Sequence, residues 1–397
     1  MTRYLSQTQQ PRVRQQCPRQ SYRFGDLIFS GLMAIQVGLM AIPVSAMEAE
    51  RVHFHGYAEV HSNNDLDQDR ILDMHRTVIG LKAQLAPTIF FNLELDFEHA
   101  FREPEMEYAY VEWVLTQNLS WRIGHILMPM GPLNEFHEPP LFLSVERSKL
   151  NTQLIPTTWN EVGTGFALSY PEQGLSARAY LVNGLNGSGI IADKGAKGFR
   201  KGRTGGSDIY AEDIAGVARI EYAPINSLNL GASAYFGGAD QSSDDAQQLT
   251  VGLYALDAKF RKMGFQVQTQ VAYGALSGTY FEETLDIPSR NMLGYLGEAA
   301  YFFQDLVGSG SQLAPFVRYE YINLDLDPAG QGPARLTAPD VGVQVITGGL
   351  AFYPIPNLAF KLDVEKWTSQ NPNAYTAKSG EKGDSKTIFN LGVGLMY

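Results

Sequence analysis

Residues able to do chemistry crowd into the first part of the chain that follows residue 50. All seven histidines lie between positions 53 and 137. His53, His55, Tyr57, Glu59 and His61 recur every second residue, so an extended segment puts them on one face, and His99 follows an acidic run. Glu98, Glu135, His137 and Glu138 complete a set of imidazoles and carboxylates. Such groups either hold a divalent metal or form a hydrogen-bonded network. Their spacing matches no compact metal motif, so they are read as a polar network bracing a loop, with no metal and no cofactor assigned. No nucleophile stands out beside a base, and a Ser/His or Asp/His hydrolase, as in an outer-membrane protease or phospholipase, is not expected. The chain is read as a non-enzyme.

The elements that must position these residues are strands. In 89–98, Ile89, Phe91, Leu93, Leu95 and Phe97 alternate with Phe90, Asn92, Glu94, Asp96 and Glu98, one face apolar and the other largely acidic. Sixteen such segments are predicted, at about 52–61, 73–86, 88–99, 105–115, 119–127, 161–170, 174–183, 212–223, 228–237, 248–261, 264–276, 292–303, 312–325, 341–353, 357–368 and 386–397. Short links near Pro87, Thr116, Pro171, Pro224, Lys262, Gln304 and Pro354 alternate with long ones that include 129–160, 184–211, 277–291, 326–340 and 369–385. Tight turns on one side and long loops on the other imply an all-β fold, a transmembrane antiparallel β-barrel of about 16 strands. The last strand supports this, with Phe389, Leu391, Val393, Leu395 and Tyr397 alternating to an aromatic end. Trp113, Trp121, Tyr170, Tyr222, Phe260, Tyr301, Tyr353, Phe360 and Trp367 fall near strand ends, as interfacial girdles require.

Strand parity then assigns the charges to faces. If Ile79, Leu81, Ala83 and Leu85 meet lipid, Arg76, Lys82 and Gln84 face the lumen. The same argument turns Arg122, Arg178, Arg219, Lys259, Arg261, Arg318 and Lys361 inward, together with Glu94, Asp96, Glu98, Glu112, Glu221, Asp257, Glu298, Glu320, Asp363 and Glu365. A mid-strand Arg or Lys on the lipid face would cost about 2–4 kcal/mol. The lumen is therefore predicted to be polar and of mixed sign.

The longest loop, Pro129 to Asn160, carries Phe142, Val145, Leu150, Leu154 and Ile155. A surface loop this apolar has nothing to cover in water, so it is expected to fold inward and narrow the pore. Glu135, His137, Glu138, Glu146, Arg147 and Lys149 would then stand at the constriction. An outward lid or a subunit contact is the alternative. A basic run, Lys194, Lys197, Arg200, Lys201 and Arg203, either folds inward to attract anions or meets lipopolysaccharide phosphates outside.

Targeting is read at the N-terminus. Arg3, Arg12, Arg14, Arg19 and Arg23 precede an apolar core from Leu27 to Ile42 and a small-residue site at Val44-Ser45-Ala46, so residues 1–46 are predicted to be a signal peptide and 47–397 the barrel. Cleavage leaves about 26 basic and 41 acidic residues, a formal charge near −15, and removes the single Cys17. That acidic balance argues against nucleic acid as a partner. Apolar residues make up 44% of the chain but are dispersed, and no later run is long enough for a transmembrane helix.

Several runs resemble one known family. His55-Gly56-Tyr57-Ala58-Glu59, Leu95-Asp96-Phe97-Glu98-His99-Ala100, Gly124-His125-Ile126-Leu127-Met128-Pro129-Met130-Gly131, Asn134-Glu135-Phe136-His137-Glu138-Pro139-Pro140, Ser144-Val145-Glu146-Arg147 and Ile155-Pro156-Thr157-Thr158-Trp159 are similar to the phosphate-selective porin O and P family. The resemblance is densest over 53–165. It implies a sixteen-stranded barrel, trimeric, with a loop-narrowed channel. Namesake members select anions through a ladder of lumen arginines and a lysine cluster. No comparably dense basic ladder occurs here, and phosphate selectivity is not carried over. The expectation is an outer-membrane porin of a Gram-negative cell, a homotrimer in lipid and lipopolysaccharide that passes small hydrophilic solutes or ions passively. An anion- or phosphate-selective porin and a structural barrel without transport are the alternatives. A gated transporter would need a plug, and too few residues precede the first strand.

Overall fold

Residues 51–65, 70–192, 198–207, 209, 212–239, 249–278, 290–326, 342–369 and 385–397 are described by the computed structural model. The predicted signal segment, Lys194 and Lys197 lie outside them.

The alternating segments fold as one sheet. Its strands are β1 (Val52–Asp65), β2 (Arg70–Ala86), β3 (Ile89–Glu98), β4 (Glu103–Val114), β5 (Leu119–Leu127), β6 (Asn160–Tyr170), β7 (Leu175–Asn183) and β8 (Ile214–Ile225). There follow β9 (Leu228–Gly238), β10 (Thr250–Lys262), β11 (Phe265–Ser277), β12 (Asn291–Tyr301, resuming at Phe303–Gln304), β13 (Gln312–Asn323), β14 (Val343–Ile355), β15 (Leu358–Ser369) and β16 (Ser385–Met396). Each strand pairs antiparallel with its neighbours in the chain, and β16 returns to pair with β1, Tyr57 opposite Met396 and Asp65 opposite Ile388. The sheet is thus a closed sixteen-stranded barrel with no free edge strand. Among the described residues, no helix is long and apolar enough to cross a membrane.

Parity holds around the ring. Ile79, Ile123, Leu181, Leu256, Val317, Ile346 and Leu391 stand outward and exposed, while Arg76, Asp96, Arg219, Glu298, Arg318 and Glu320 point inward and are buried. Trp113, Tyr170, Tyr222, Phe260 and Phe360 are exposed near strand ends. Tyr353 and Trp367, expected in a girdle, instead face inward at 6% and 5% exposure. Trp367 shares parity with Asp363 and Glu365, and its Nε1 donates to Glu365 at 2.8 Å, so the ring completes a lumen hydrogen bond.

The strands overrun their predicted ends at two prolines. Pro224 and Pro354 lie within β8 and β14, at the irregularities between Tyr222 and Ile225 and between Phe352 and Ile355. A bulge does not ask its extra residue for an N–H, so proline is accommodated there.

The apolar core lies inside the barrel at the long-loop end. Leu150, Leu154, Ile155 and Trp159 of the loop after β5 pack with Leu185, Ile190 and Phe199 of the loop after β7 and with inward Tyr235, Val251, Leu253 and Met292.

Candidate functional site

The loop between β5 and β6 is the feature from which a site can be built. Its neck is closed by Met128 N–H donating to Trp159 O at 2.8 Å. The buried Asn134 amide clamps both ends: Nδ2 donates to Met128 O at 2.7 Å and to Trp159 O at 2.9 Å, and Oδ1 accepts from Trp159 N at 2.9 Å. From there the chain enters the bore. Gly131 N donates to Ser233 Oγ on β9 at 3.0 Å, and Val145 N to Asp363 on β15 at 2.6 Å. Arg318 on β13 donates to Ser144 Oγ at 2.6 Å, and Lys361 on β15 to Ser144 O at 2.9 Å. A single helical turn, Leu150–Leu154, follows, with Lys149 N and Leu150 N both donating to the Glu320 carboxylate at 2.9 Å. That carboxylate satisfies amides that a helix start leaves without intrahelical partners. Asn151 and Gln270 of β11 then exchange bonds of 2.8 and 3.1 Å. In a ring of sixteen, β13 stands eight strands from β5, so the loop crosses the lumen from one wall to the opposite one.

Glycines make room for this crossing. A side chain at Gly294 would come within 2.5 Å of Leu150, and one at Gly274 within 2.5 Å of Phe199.

The six loop residues singled out from the sequence fall in different surroundings. Glu135 reaches β7, 2.8 Å from Arg178 Nη2, and burial raises its pKa against the pull of that guanidinium. His137 is 2% exposed and shut away from the passage. Its Nδ1 lies 2.9 Å from Asn134 O, and its Nε2 2.9 Å from the Tyr57 hydroxyl and 3.0 Å from Glu107 Oε2, so it ties the loop to β1 and β4. Glu138 precedes the Pro139–Leu141 turn, and its carbonyl accepts from Leu141 N at 2.9 Å. Glu146 faces β1, 3.3 Å from His61 Nδ1 and 3.2 Å from Asn63 Nδ2. Lys149 stands over the Trp367 ring at 4.7 Å, and burial lowers its pKa to about 8 despite Glu320 and Glu365. Arg147 has its Nη2 3.4 Å from His137 O and lines the open space on both sides of the loop.

Two water-accessible spaces flank the loop. The one toward the long-loop end holds about 430 Å³ and is walled by Glu59, His61, His75, Glu98, Glu146, Arg200 and Trp367 among others. The one toward the short-turn end holds about 310 Å³ and is walled by Arg219, Glu221, Asp257, Lys259 and Glu298. Phe142, Arg147 and Arg318 line both.

The wall charges are mostly paired. Arg76 lies 3.4 Å from Asp96 and 3.6 Å from both Glu59 and Glu107, and also bonds Glu98. Arg122 meets Glu112 at 2.8 Å. Arg178 and Arg219, directly opposite in register, are separated by Glu221 at 2.7 and 3.1 Å, with Asp257 2.8 Å from Arg219. Lys82 lies over Phe90, and Arg318 is 3.8 Å from Glu298. Glu94 accepts from the Tyr108 hydroxyl at 2.9 Å. Of the basic run, Arg203 binds the Thr157 and Thr158 carbonyls at 2.9 and 3.0 Å, Arg200 joins the outer wall of the larger space, and Lys201 is exposed.

Glu107, Tyr57 and Asn134 anchor the loop, yet no pattern in the chain distinguishes Glu107. In Glu103-Pro104-Glu105-Met106-Glu107 every second residue is acidic, and the register shifts at Glu94/Leu95 opposite. Only the pairing with His137 picks it out.

No family model matches the chain. A protein of Aquifex aeolicus, described only as an uncharacterized protein, is 29% identical over 331 residues, 78% of this chain and 74% of that one. Among solved structures, OmpF of Salmonella typhi, in complex with daunomycin, superimposes with a TM-score of 0.58 at 13% identity, over 87% of this chain and 97% of that one. The anion-selective porin of Comamonas acidovorans gives 0.56 at 10% identity, over 87% and 99%. The fold is the sixteen-stranded porin barrel. Identities this low carry the fold and nothing finer, and the phosphate-selective family suggested by the runs between 53 and 165 is not confirmed by them.

Proposed function

We propose that this protein is an outer-membrane porin, a water-filled channel through which small hydrophilic solutes or ions diffuse, narrowed by the loop between β5 and β6. The observation that carries the reading is the pair of spaces on either side of that loop, both lined by Phe142, Arg147 and Arg318. A ring of exposed apolar residues outside and paired charges inside suits a wall between lipid and water. Export by the 1–46 segment, trimerisation and contact with lipopolysaccharide belong to the same reading. The chain has no assigned catalytic step.

A second reading, preference for anions, rests on the two guanidiniums that line both spaces. Arg147 has no carboxylate within ion-pair distance among the described residues, and Arg318 is 3.8 Å from its nearest, Glu298. The sequence balance of acids and bases instead argues for weak selectivity tilted to cations at low salt. Purified protein in a planar bilayer decides both points. Stepwise current is expected, and its absence from correctly assembled protein refutes the channel. A reversal potential of cation sign that becomes more so in Arg147→Ala supports the first reading of selectivity; strong anion preference lost in Arg147→Ala supports the second.

A further inference from the structure

We propose that Asp73, His75 and His99 form a binding site for a divalent transition-metal ion of the Zn²⁺ type, at the rim of the larger space. It goes beyond the channel reading and does not depend on it. Asp73 Oδ2 lies 2.7 Å from His99 Nδ1 and 3.3 Å from His75 Nδ1, and the three donor atoms all fall within 4.8 Å of one another. Metal–nitrogen and metal–oxygen bonds of about 2.0–2.2 Å bring neighbouring ligand atoms to roughly 3 Å apart, so one ion can touch all three with little rearrangement. Two imidazoles and a carboxylate suit Zn²⁺, Ni²⁺ or Cu²⁺ and not the all-oxygen preference of Mg²⁺ or Ca²⁺.

The backbone holds the donors in place. His75 is the extra residue of a bulge in β2, opposite Glu59 and Val60, and its Nδ1 comes to the Asp73 carboxylate of the same strand. His99 opens the β3–β4 turn, where His99, Ala100 and Phe101 run at φ 50°, 56° and 70°, and its N–H donates to His75 O at 3.0 Å. The two histidines are therefore fixed by a hydrogen bond between their own main chains, and their rings lie 5.6 Å apart. Side-chain exposures of 24%, 28% and 36% for Asp73, His75 and His99 leave the site open to dissolved ions. Further carboxylates lie close by: Glu98 and Glu103 offer oxygens within 4.8 Å of a His99 nitrogen, and Glu59 Oε1, 3.9 Å from His75 Nε2, faces the ring nitrogen that the ion would leave free. The nearby guanidinium of Arg76 is offset by Glu59, Asp96, Glu98 and Glu107, which limits its repulsion of a cation.

The probe is ZnCl₂ titrated calorimetrically into the folded, EDTA-treated full chain in detergent. One ion per chain is expected, with MgCl₂ giving no binding at the same concentrations. His75→Ala and His99→Ala should each weaken Zn²⁺ at least tenfold and Asp73→Asn several-fold, while His53→Ala on the far end of β1 changes nothing. Failure of the parent chain to bind Zn²⁺, or binding retained in the His75→Ala/His99→Ala double variant, overturns the site. A second measurement needs no variant: Co²⁺ added to the parent chain should produce visible d–d absorption that Zn²⁺ abolishes, and its absence equally overturns the assignment.

Discussion

The barrel wall and the loop it encloses are held by opposite means. The wall is a repetitive ladder in which sixteen strands each pair on both sides, so the loss of one side chain leaves the hydrogen-bonding pattern intact. The loop has two short helical turns, Pro139–Leu141 and Leu150–Leu154, and otherwise irregular backbone, and its amides go to individual side chains: Glu320 for Lys149 and Leu150, Asp363 for Val145, Ser233 for Gly131. The wall is specified collectively, whereas the loop is specified by a handful of groups. Changes in the loop should therefore alter what the barrel does while leaving the barrel itself standing.

The largest test of that contrast is removal of residues 133–150. The barrel should still assemble, read as a heat-modifiable band, and single-channel conductance should rise severalfold. Unchanged conductance in an assembled deletion would show that the loop does not set the constriction.

A smaller perturbation is Glu320→Ala. It leaves the Lys149 and Leu150 amides without their acceptor, a loss of about 1–3 kcal/mol. Noisier, larger current steps are expected at nearly unchanged assembly. Val317→Ala, an outward change three residues earlier on the same strand, should leave conductance as it was. Equal effects from the two would erase the distinction between wall and loop.

The smallest effect expected is that of pH on Lys149. Its ammonium is charged below about 8 inside the folded chain, against an ordinary value of 10.5. Between those values the unfolded chain binds the extra proton, so this residue weighs against stability at neutral pH and the penalty lifts as pH climbs from 8 toward 10.5. Raising pH from 7 to 9 should also remove one positive charge beside Trp367 and shift the reversal potential toward cations. The shift should vanish in Lys149→Met, and its persistence there would assign it to another group.

Strands were legible because alternation is a local signal: a period of two can be read from ten residues, as in Ile89–Glu98, and every predicted strand has its counterpart. Faces followed from the same parity, failing only where an aromatic such as Trp367 served the lumen. The loop's partners were not legible. Val145 and Asp363 are 218 positions apart, and Lys149 and Glu320 are 171 apart, distances over which no pattern in the chain links donor to acceptor. The histidines show both sides of this. Their shared face on β1 could be read from spacing, but the meeting of Asp73, His75 and His99 depends on a left-handed turn that no proline or glycine marks.

The seam between β1 and β16 carries a consequence for how the molecule holds together. Asn390 on β16 donates to Asp363 at 2.7 Å, and Asp363 in turn holds Val145. Gly392 and Gly394 on the same strand lie against Val145 and Pro139. The strand that shuts the ring is thus also a bed for the loop. A chain whose loop hangs outside leaves the inner face of that strand without these contacts. Seating the 128–159 segment and closing β16 onto β1 therefore stabilise one another, and a change that frees the loop also loosens the seam.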